Sequence, residues 1–252
     1  MINIIYSEFI KLKKSYILVI ALFSGALMPC VINVADMASQ RNQLVKLTER
    51  VNFLEVRIED INRISGLFIY IIIFSFIAAY VFSREYTDKT ANILHAYPAS
   101  RVKVFFGKLI TIYTLIVFVY IIQILTKYLG IYIVWSVLPS SKFISLDIKV
   151  NIYSMLLQFL LIPIPVLISN ITRNIIFPVV YGLLSDVIVG ILLAGGSSVY
   201  SQFIPLTLPM LPFYHYYKGD PIDFVITIGS AIITFSVFTF LSIYQYSNAD
   251  ID

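Results

Sequence analysis

Charged side chains are scarce in this sequence. Asp, Glu, Lys and Arg account for 13% of its 252 residues, and the mean hydropathy is +0.89. Soluble domains carry about 25% charged residues, so a soluble protein is excluded and an integral membrane protein is predicted. The net charge is only +4. In a membrane protein such a small basic excess reports orientation and contact with anionic head groups, and no nucleic-acid partner is expected.

Cysteine and histidine are scarcer still. The single cysteine, Cys30, lies in an apolar run, so no disulfide can form within the chain. His95 and His215 are the only histidines, and the topology predicted from the apolar runs places them on opposite sides of the membrane. No Ser/His/Asp, Cys/His or paired-Glu pattern typical of an intramembrane protease is present. The sequence therefore predicts neither catalytic residues nor a metal site.

A phosphate-binding loop is also missing. Gly107-Lys108 is followed by Leu109, and no glycine lies five residues before Gly107. We therefore expect that this chain binds no ATP or magnesium itself.

A small-residue cleavage site is likewise missing after the first apolar run, which we expect to remain as a membrane span.

What the sequence does contain is a series of long apolar runs. A helical span needs about 20 apolar residues, and six runs approach this length. We expect an all-α, polytopic membrane domain covering residues 1–252, with an outer helical loop at 35–65 and a polar stretch at 84–108. The predicted spans are residues 16–34, 66–83, 104–126, 151–169, 175–196 and 224–244.

The outer loop contains apolar residues that recur in steps of three and four, which predicts a helix outside the membrane. This helix either pairs the extended ends of the first two spans or rests on the bundle or the lipid surface. The apolar positions are Leu44, Leu47, Val51, Leu54, Ile58 and Ile61.

The end of the third span is open to two interpretations. Lys127 follows the apolar run at a depth from which a lysine can extend outward to the membrane surface. The apolar piece 128–138 contains the only tryptophan, Trp135. This piece either prolongs a tilted helix or lies at the outer interface, where tryptophan is favoured. Residues 139–150 are predicted to form an outer loop.

The polar stretch between the second and third spans is rich in Lys and Arg. Short basic loops are typical of the cytoplasmic side, so we expect this stretch and both termini to be cytoplasmic. Apolar and aromatic residues of its first half share one helical face and predict a short amphipathic helix, which Pro98 ends. These residues are Tyr86, Thr90, Ile93, Leu94 and Tyr97.

This stretch resembles the coupling region of ABC-2 type permeases, the membrane subunits of one class of ATP-driven exporters. Lys89 replaces a glycine and Ala99 a valine that are common in that pattern. The pattern reads here as Glu85, Thr90, Leu94, Pro98-Ala99-Ser100-Arg101 and Gly107-Lys108.

The resemblance implies a cytoplasmic coupling helix between the second and third spans, which binds a separate ABC ATPase. ATP and magnesium would then bind to that ATPase. It also implies a second permease subunit, identical or different, facing this one. The residues assigned to ATPase coupling are Glu85, Tyr86, Thr87, Asp88, Thr90, Ile93, Leu94, Tyr97, Pro98 and Arg101.

The stretch between the fifth and sixth spans is apolar but contains Pro205, Pro209 and Pro212. Because each proline removes a backbone donor, this stretch cannot be one straight span. We expect a re-entrant element on the outer side, buried against protein, and the resemblance implies that it forms an outer gate. An ordinary proline-rich outer loop is the alternative.

Asp186 is the one acid deep within a predicted span. A carboxylate in lipid is costly, so this side chain is expected to face protein or water. Three roles remain open. Asp186 either lines a transport path, bonds to a neighbouring helix or subunit, or is protonated in the core.

The resemblance implies a permease subunit of an ATP-driven exporter in the bacterial cell membrane. The spans carry few charges, which favours an apolar or amphipathic cargo. The chain is similar in character to Gram-positive permeases that export phenol-soluble modulins or give immunity to lantibiotics. Toxin export or antimicrobial-peptide immunity is therefore expected. The alternatives are a proton-coupled secondary transporter that uses Asp186 and a non-transporting membrane sensor or assembly subunit.

Overall fold

A computed structural model describes residues 2–13, 15–39, 47–87, 100–196 and 198–248. Within these ranges the chain is all-α and contains no strand. Six helical segments are long and apolar enough to cross a membrane, which confirms the predicted all-α, polytopic fold. They are Ile17–Ala38, Arg50–Thr87, Arg101–Trp135, Ser141–Thr172, Ile176–Leu193 and Phe224–Asn248.

The chain begins with a short helix, α1 (Ile2–Lys13), followed by the first span, α2 (Ile17–Ser39). One side of helix α1 is buried, since Glu8 and Leu12 are buried whereas Ile10 is exposed. Its buried side packs against the first turns of the third span. This contact places α1 at the end of the bundle where the described chain begins and ends, which we call the termini side.

The predicted outer helix and the second span form one continuous helical segment. It consists of α3 (Leu47–Ser65), a π-helical turn (Gly66–Tyr70) and α4 (Ile71–Thr87). Helix α3 lies at the end of the bundle opposite the termini, which we call the far side, and prolongs the apolar span α4 there. The segment therefore supports the interpretation in which the outer helix extends a span.

The third span, α5 (Arg101–Trp135), is an unbroken helix of 35 residues. At 1.5 Å per residue it is about 50 Å long, well beyond the ~30 Å of membrane hydrocarbon. The piece 128–138 therefore largely prolongs this helix, as one of the two interpretations proposed. The helix ends where Ser136 adopts a left-handed backbone conformation with φ of 55°.

The fourth span begins earlier than the sequence suggested. Helix α6 (Ser141–Leu161) starts with Ser140 as its N-cap, whose hydroxyl accepts a hydrogen bond from the Phe143 backbone N–H. The prediction of an outer loop at 139–150 is therefore wrong over most of its length. The charged residues there do not mark a loop, because they lie within the helix and Asp147 is buried against Lys127.

Prolines divide the remainder of this span. Helix α7 (Pro163–Thr172) follows α6 directly, with Pro163 at a position where the missing backbone donor costs little. A tight turn at Arg173, with φ of 53°, then leads to the fifth span, α8 (Ile176–Leu193). The last span is α11 (Phe224–Asn248).

Between the fifth and sixth spans lies a compact set of short elements. They are α9 (Val199–Phe203), a 3₁₀ helix (Pro205–Met210) and α10 (Leu211–Lys218). The 3₁₀ helix and the start of α10 are mostly buried and pack against α6, α8 and α11. Met210 lies beside Gly66, where any Cβ atom would meet its sulfur at 2.5 Å. The absence of a side chain at Gly66 thus lets this element approach the π-helical turn.

The far-side extensions of the helices share a small core of their own. Leu54 and Ile58 of α3 pack against Ile131, Val134 and Trp135 at the end of α5. Leu54 and Ile58 belong to the apolar pattern that predicted the outer helix. The pattern therefore marks the side of α3 that contacts α5.

Candidate functional site

Glu85, at the termini-side end of α4, is buried and joins three helices. Its carboxylate lies 2.8 Å from Lys108 Nζ of α5 and 3.0 Å from Lys11 Nζ of α1. Lys11 also pairs with Glu8 at 2.6 Å. Lys108 is fully buried and donates a second hydrogen bond to the Val81 carbonyl at 3.0 Å. We call Lys11, Glu85 and Lys108 the termini-side ion group.

The residues that border the polar stretch are also attached to the bundle. The Arg173 guanidinium lies 5.2 Å from the centre of the Tyr86 ring, a cation–π contact between α4 and the α7–α8 turn. The Thr87 hydroxyl donates to the Ser83 carbonyl within α4. At the other border, Arg101 donates to the Ser247 carbonyl of α11 at 2.6 Å. Both ends of the stretch are therefore fixed to spanning helices.

A second buried ion pair lies on the far side. Lys127 of α5 and Asp147 of α6 are both completely buried, with Nζ 2.7 Å from Oδ2. The prediction that Lys127 extends outward to the membrane surface is therefore wrong. Because α6 starts at Ser141 and runs beside α5, it brings a carboxylate to the lysine within the protein.

Further polar side chains surround this pair. The Asp147 carboxylate also accepts hydrogen bonds from Asn62, Tyr128, Tyr217 and Asn151, at 2.6 to 3.1 Å. The pKa of the Tyr217 hydroxyl is raised, mainly by burial and also by the nearby Asp147 carboxylate. The hydroxyl therefore keeps its proton and acts as a hydrogen-bond donor. We call this set the far-side polar cluster. Its members are Asn62, Gln123, Lys127, Tyr128, Asp147, Asn151 and Tyr217.

The far-side polar cluster connects four elements. Asn62 comes from α3, Lys127 from α5, Asp147 from α6 and Tyr217 from α10. Charges this deeply buried are stable only when their hydrogen-bonding capacity is met. The cluster therefore fixes the position of α10, and with it the short elements between the last two spans.

Asp186 is buried in α8, with 8% of its surface exposed. Neither carboxylate oxygen has a hydrogen-bond partner within the part of the chain that the structure describes. One turn earlier, Gly182 allows α8 to approach α4 so closely that a Cβ there would lie 2.9 Å from Ile72 Cα. The described part of the chain thus buries most of Asp186 without giving its carboxylate a hydrogen-bond partner.

The three prolines of the predicted gate lie at structural breaks. Pro205 begins the 3₁₀ helix, Pro209 lies within it, and Pro212 lies in the first turn of α10. Pro209 and Pro212 are buried. The stretch is therefore neither a straight span nor an exposed loop.

Comparison with known families bears on the whole arrangement. The family model described as "ABC-2 family transporter protein" matches residues 4–189 of the 252, from α1 through most of α8. The chain belongs to the ABC-2 family. A search of curated proteins found no significant match. This ABC-2 permease is thus a non-catalytic, multi-pass subunit of an ABC transporter in the cell membrane, and its family implies an ABC ATPase partner.

Family membership sets aside two alternatives. An ABC transporter subunit is neither a proton-driven secondary transporter nor a non-transporting sensor. No group of three His, Cys, Asp or Glu side chains suited to a metal occurs in the described ranges.

Only the borders of the polar stretch to which the sequence assigned ATPase coupling lie within the described residues. Glu85, Tyr86, Thr87 and Arg101 are described, and the first of these faces the bundle. The predicted amphipathic helix and its end lie outside the described residues. The coupling positions concerned are Asp88, Thr90, Ile93, Leu94, Tyr97 and Pro98.

The far-side polar cluster was missed from the sequence of this ABC-2 permease. One signal was available, since Lys127 and Asp147 are isolated charges of opposite sign beside consecutive apolar runs. The pairing could not be predicted because the two residues are 20 positions apart and Asp147 was assigned to a loop.

Proposed function

We propose that this ABC-2 permease is the membrane subunit of an ATP-driven exporter of amphipathic or hydrophobic peptides. Its termini side faces the cytoplasm, where residues 84–101 bind an ABC ATPase. A second permease subunit, identical or different, completes the transport path. The attachment of both ends of this stretch to the bundle is the observation that carries the proposal.

Force on the coupling stretch would reach the membrane through these attachments. At one border, Glu85 binds Lys108 of α5 and Lys11 of α1. At the other, Arg101 begins α5 and bonds to the end of α11. Because buried ion pairs are costly to break, a displaced stretch would move α1, α4 and α5 together. Such a shift of packed helices is a known form of two-state switching.

The cargo is proposed from the chemistry of the spans. Their exposed side chains are predominantly Ile, Leu, Val, Phe and Tyr, and the buried charges described above are paired within the chain, apart from Asp186. A path formed by such helices suits a peptide with a large apolar face. Export of a toxic peptide and removal of an antimicrobial one from a bacterial membrane are the two physiological forms of this activity.

Asp186 is proposed as a contact with the second permease subunit. Its carboxylate lacks a hydrogen-bond partner in the described part of one chain, and a donor from a second subunit would satisfy it. A position on the transport path is the second candidate role.

The proposal is tested by introducing a charge on the coupling helix. Leu94→Glu should abolish co-purification of a co-expressed ABC ATPase and stop ATP-dependent uptake of an amphipathic helical peptide into inside-out vesicles. Leu138→Glu is the matched control, because Leu138 is an exposed leucine on the far side. Full uptake by the Leu94→Glu permease would contradict the proposal.

A further inference from the structure

A lateral cavity lies between α6, α10 and α11 in the far-side half of the protein. Its volume is about 430 Å³, within the ~300–1,000 Å³ typical of small-molecule sites. Helix α6 contributes Leu156, Leu157 and Leu160 to its wall, and the start of α10 contributes Leu211 and Pro212. It is distinct from both buried ion groups, whose residues do not line it.

The lining of this cavity suits a hydrocarbon chain. No charged residue contributes to it. The hydroxyl of Thr227 donates to the Asp223 carbonyl, so it requires no ligand. Apolar side chains favour each methylene that they remove from water, but they give no recognition of ions or sugars. The ligand portion inside the cavity is therefore aliphatic.

The mouth of the cavity is aromatic and opens to the surroundings of the spans. Tyr153 and Tyr216 stack with ring centres 5.8 Å apart, and Phe224 packs edge-on against His215 at the same distance. Tyrosine is favoured at the level of lipid head groups. Leu156 is 49% exposed and Ile228 is 50% exposed, so a chain can enter from the side.

Polarity decreases along one face of α6 in the order expected for a lipid. Lys149 is exposed and lies one turn before Tyr153, which is followed on the same face by Leu156 and Leu160. The rise from Lys149 to Leu160 is about 16 Å. Along α6, a cation is followed by an aromatic residue and then by an apolar wall. This order matches the order of phosphate, glycerol region and acyl chain in a phospholipid.

We propose that this cavity is a binding site for one acyl chain of a membrane phospholipid from the far-side leaflet, with its phosphate near Lys149. This inference does not depend on the peptide cargo. Because α10 forms part of the wall, the bound chain contacts the element predicted to form the gate. The lipid therefore supports α10 on the side away from the far-side polar cluster.

Photolabelling of the full chain tests the site. The protein is reconstituted in vesicles of phosphatidylglycerol and phosphatidylcholine that contain a phospholipid with a diazirine on its acyl chain, and adducts are mapped by mass spectrometry. We expect adducts at the cavity residues of α6 and α11 to exceed those on the exposed face of α8 by about tenfold, the equivalent of about 1.4 kcal/mol. Equal labelling of both faces would overturn the proposal.

Two variants and one control distinguish a specific lipid site from general contact with lipid. Leu156→Trp places a ring in the cavity mouth and should remove the excess labelling. Leu184→Trp, at a leucine of α8 that is 60% exposed, should not. Lys149→Glu leaves the apolar wall intact and should lower labelling severalfold by repelling the phosphate. Unchanged labelling in the Leu156→Trp protein, or equal loss of labelling in the Leu156→Trp and Leu184→Trp proteins, would overturn the proposal.

Discussion

Glu85 and Asp147 are both buried acids that bind a buried lysine of α5, but their surroundings differ. Glu85 has two cationic partners, and one of them, Lys11, keeps 38% of its side chain exposed. Asp147 accepts hydrogen bonds from five side chains and is completely enclosed. The termini-side ion group is thus open to water on one side, whereas the far-side polar cluster is sealed.

This difference indicates separate tasks for the two ends of the protein. Partly hydrated ion pairs have a smaller desolvation penalty, so a change in the termini-side ion group should cost less stability, while its proposed link to the ATPase-binding stretch exposes transport to the same change. A sealed cluster in which one carboxylate accepts hydrogen bonds from five side chains has one favoured arrangement. We therefore expect changes in the far-side polar cluster to affect stability and changes in the termini-side ion group to affect transport.

The largest effect is expected for Asp147→Ala. This change leaves the Lys127 ammonium buried without its counter-ion, which typically costs about 3–5 kcal/mol. Thermal unfolding in detergent should show a large fall in midpoint. Lys149→Ala, at an exposed position on the same helix, should change stability by less than about 0.5 kcal/mol.

The double variant Lys127→Met/Asp147→Leu separates the charge from the packing. Replacing a whole buried ion pair by apolar residues is often close to neutral. Recovery of most of the stability lost in Asp147→Ala would support the sealed-pair interpretation. If the double variant is as unstable as the single one, the remaining polar groups of the cluster dominate its energetics.

A smaller loss of stability, with a larger loss of transport, is expected for Glu85→Gln. The amide removes one side of a charged pair, and a buried donor left unsatisfied costs about 1–3 kcal/mol. Peptide uptake should fall more than ATPase binding does, because the stretch still binds but moves α5 less. Measurement of both quantities on one preparation checks this, and normal uptake would show that Glu85 has no part in coupling.

Asp186→Leu should shift stability and assembly in opposite directions. Removing an unpaired buried carboxylate should stabilise the single chain by about 1–2 kcal/mol. If Asp186 bonds to a second permease subunit, the same change should reduce the dimer fraction in light scattering. Asp186→Asn is the control that keeps a hydrogen-bonding group. A dimer fraction unchanged in both variants would favour the path-lining role.

The smallest effect is expected for Arg101→Met, because Arg101 is only partly buried. Loss of its bond to the Ser247 carbonyl should cost about 1 kcal/mol and reduce peptide uptake modestly. Lys103→Met, at an exposed residue of the same helical turn, should leave both quantities unchanged. Equal effects of the two substitutions would indicate a general charge effect rather than an attachment to α11.

Much of the architecture was predictable because apolar run length is a local property. Six runs gave six spans, and the interrupting prolines at 205, 209 and 212 gave a broken element rather than a seventh helix. The steps of three and four around Leu54 and Ile58 gave the outer helix and its buried side. The family followed from the resemblance of the stretch that includes Glu85 and Arg101.

The rest depended on contacts between residues far apart in the chain. The start of α6 was placed too late because Asp147 and Lys149 look like loop residues when their surroundings are unknown. The direction of the Lys127 side chain could not be predicted without that helix, since its partner lies 20 residues away along the chain. Likewise, the inward orientation of Glu85 depends on Lys108 and Lys11, which come from two other helices.

The unbroken course of α5 gives the two buried lysines a common mechanical element. Lys108 and Lys127 lie on one rod without proline, separated by about 29 Å of helical rise. If this helix tilts by about 10°, the ~29 Å separation means that one lysine moves by about 5 Å relative to the other. The second and fourth spans contain a π-helical turn and a proline break and can absorb such a motion. The third span has no helix break between Lys108 and Lys127. A tilt of this helix at one membrane surface therefore displaces its other end as well.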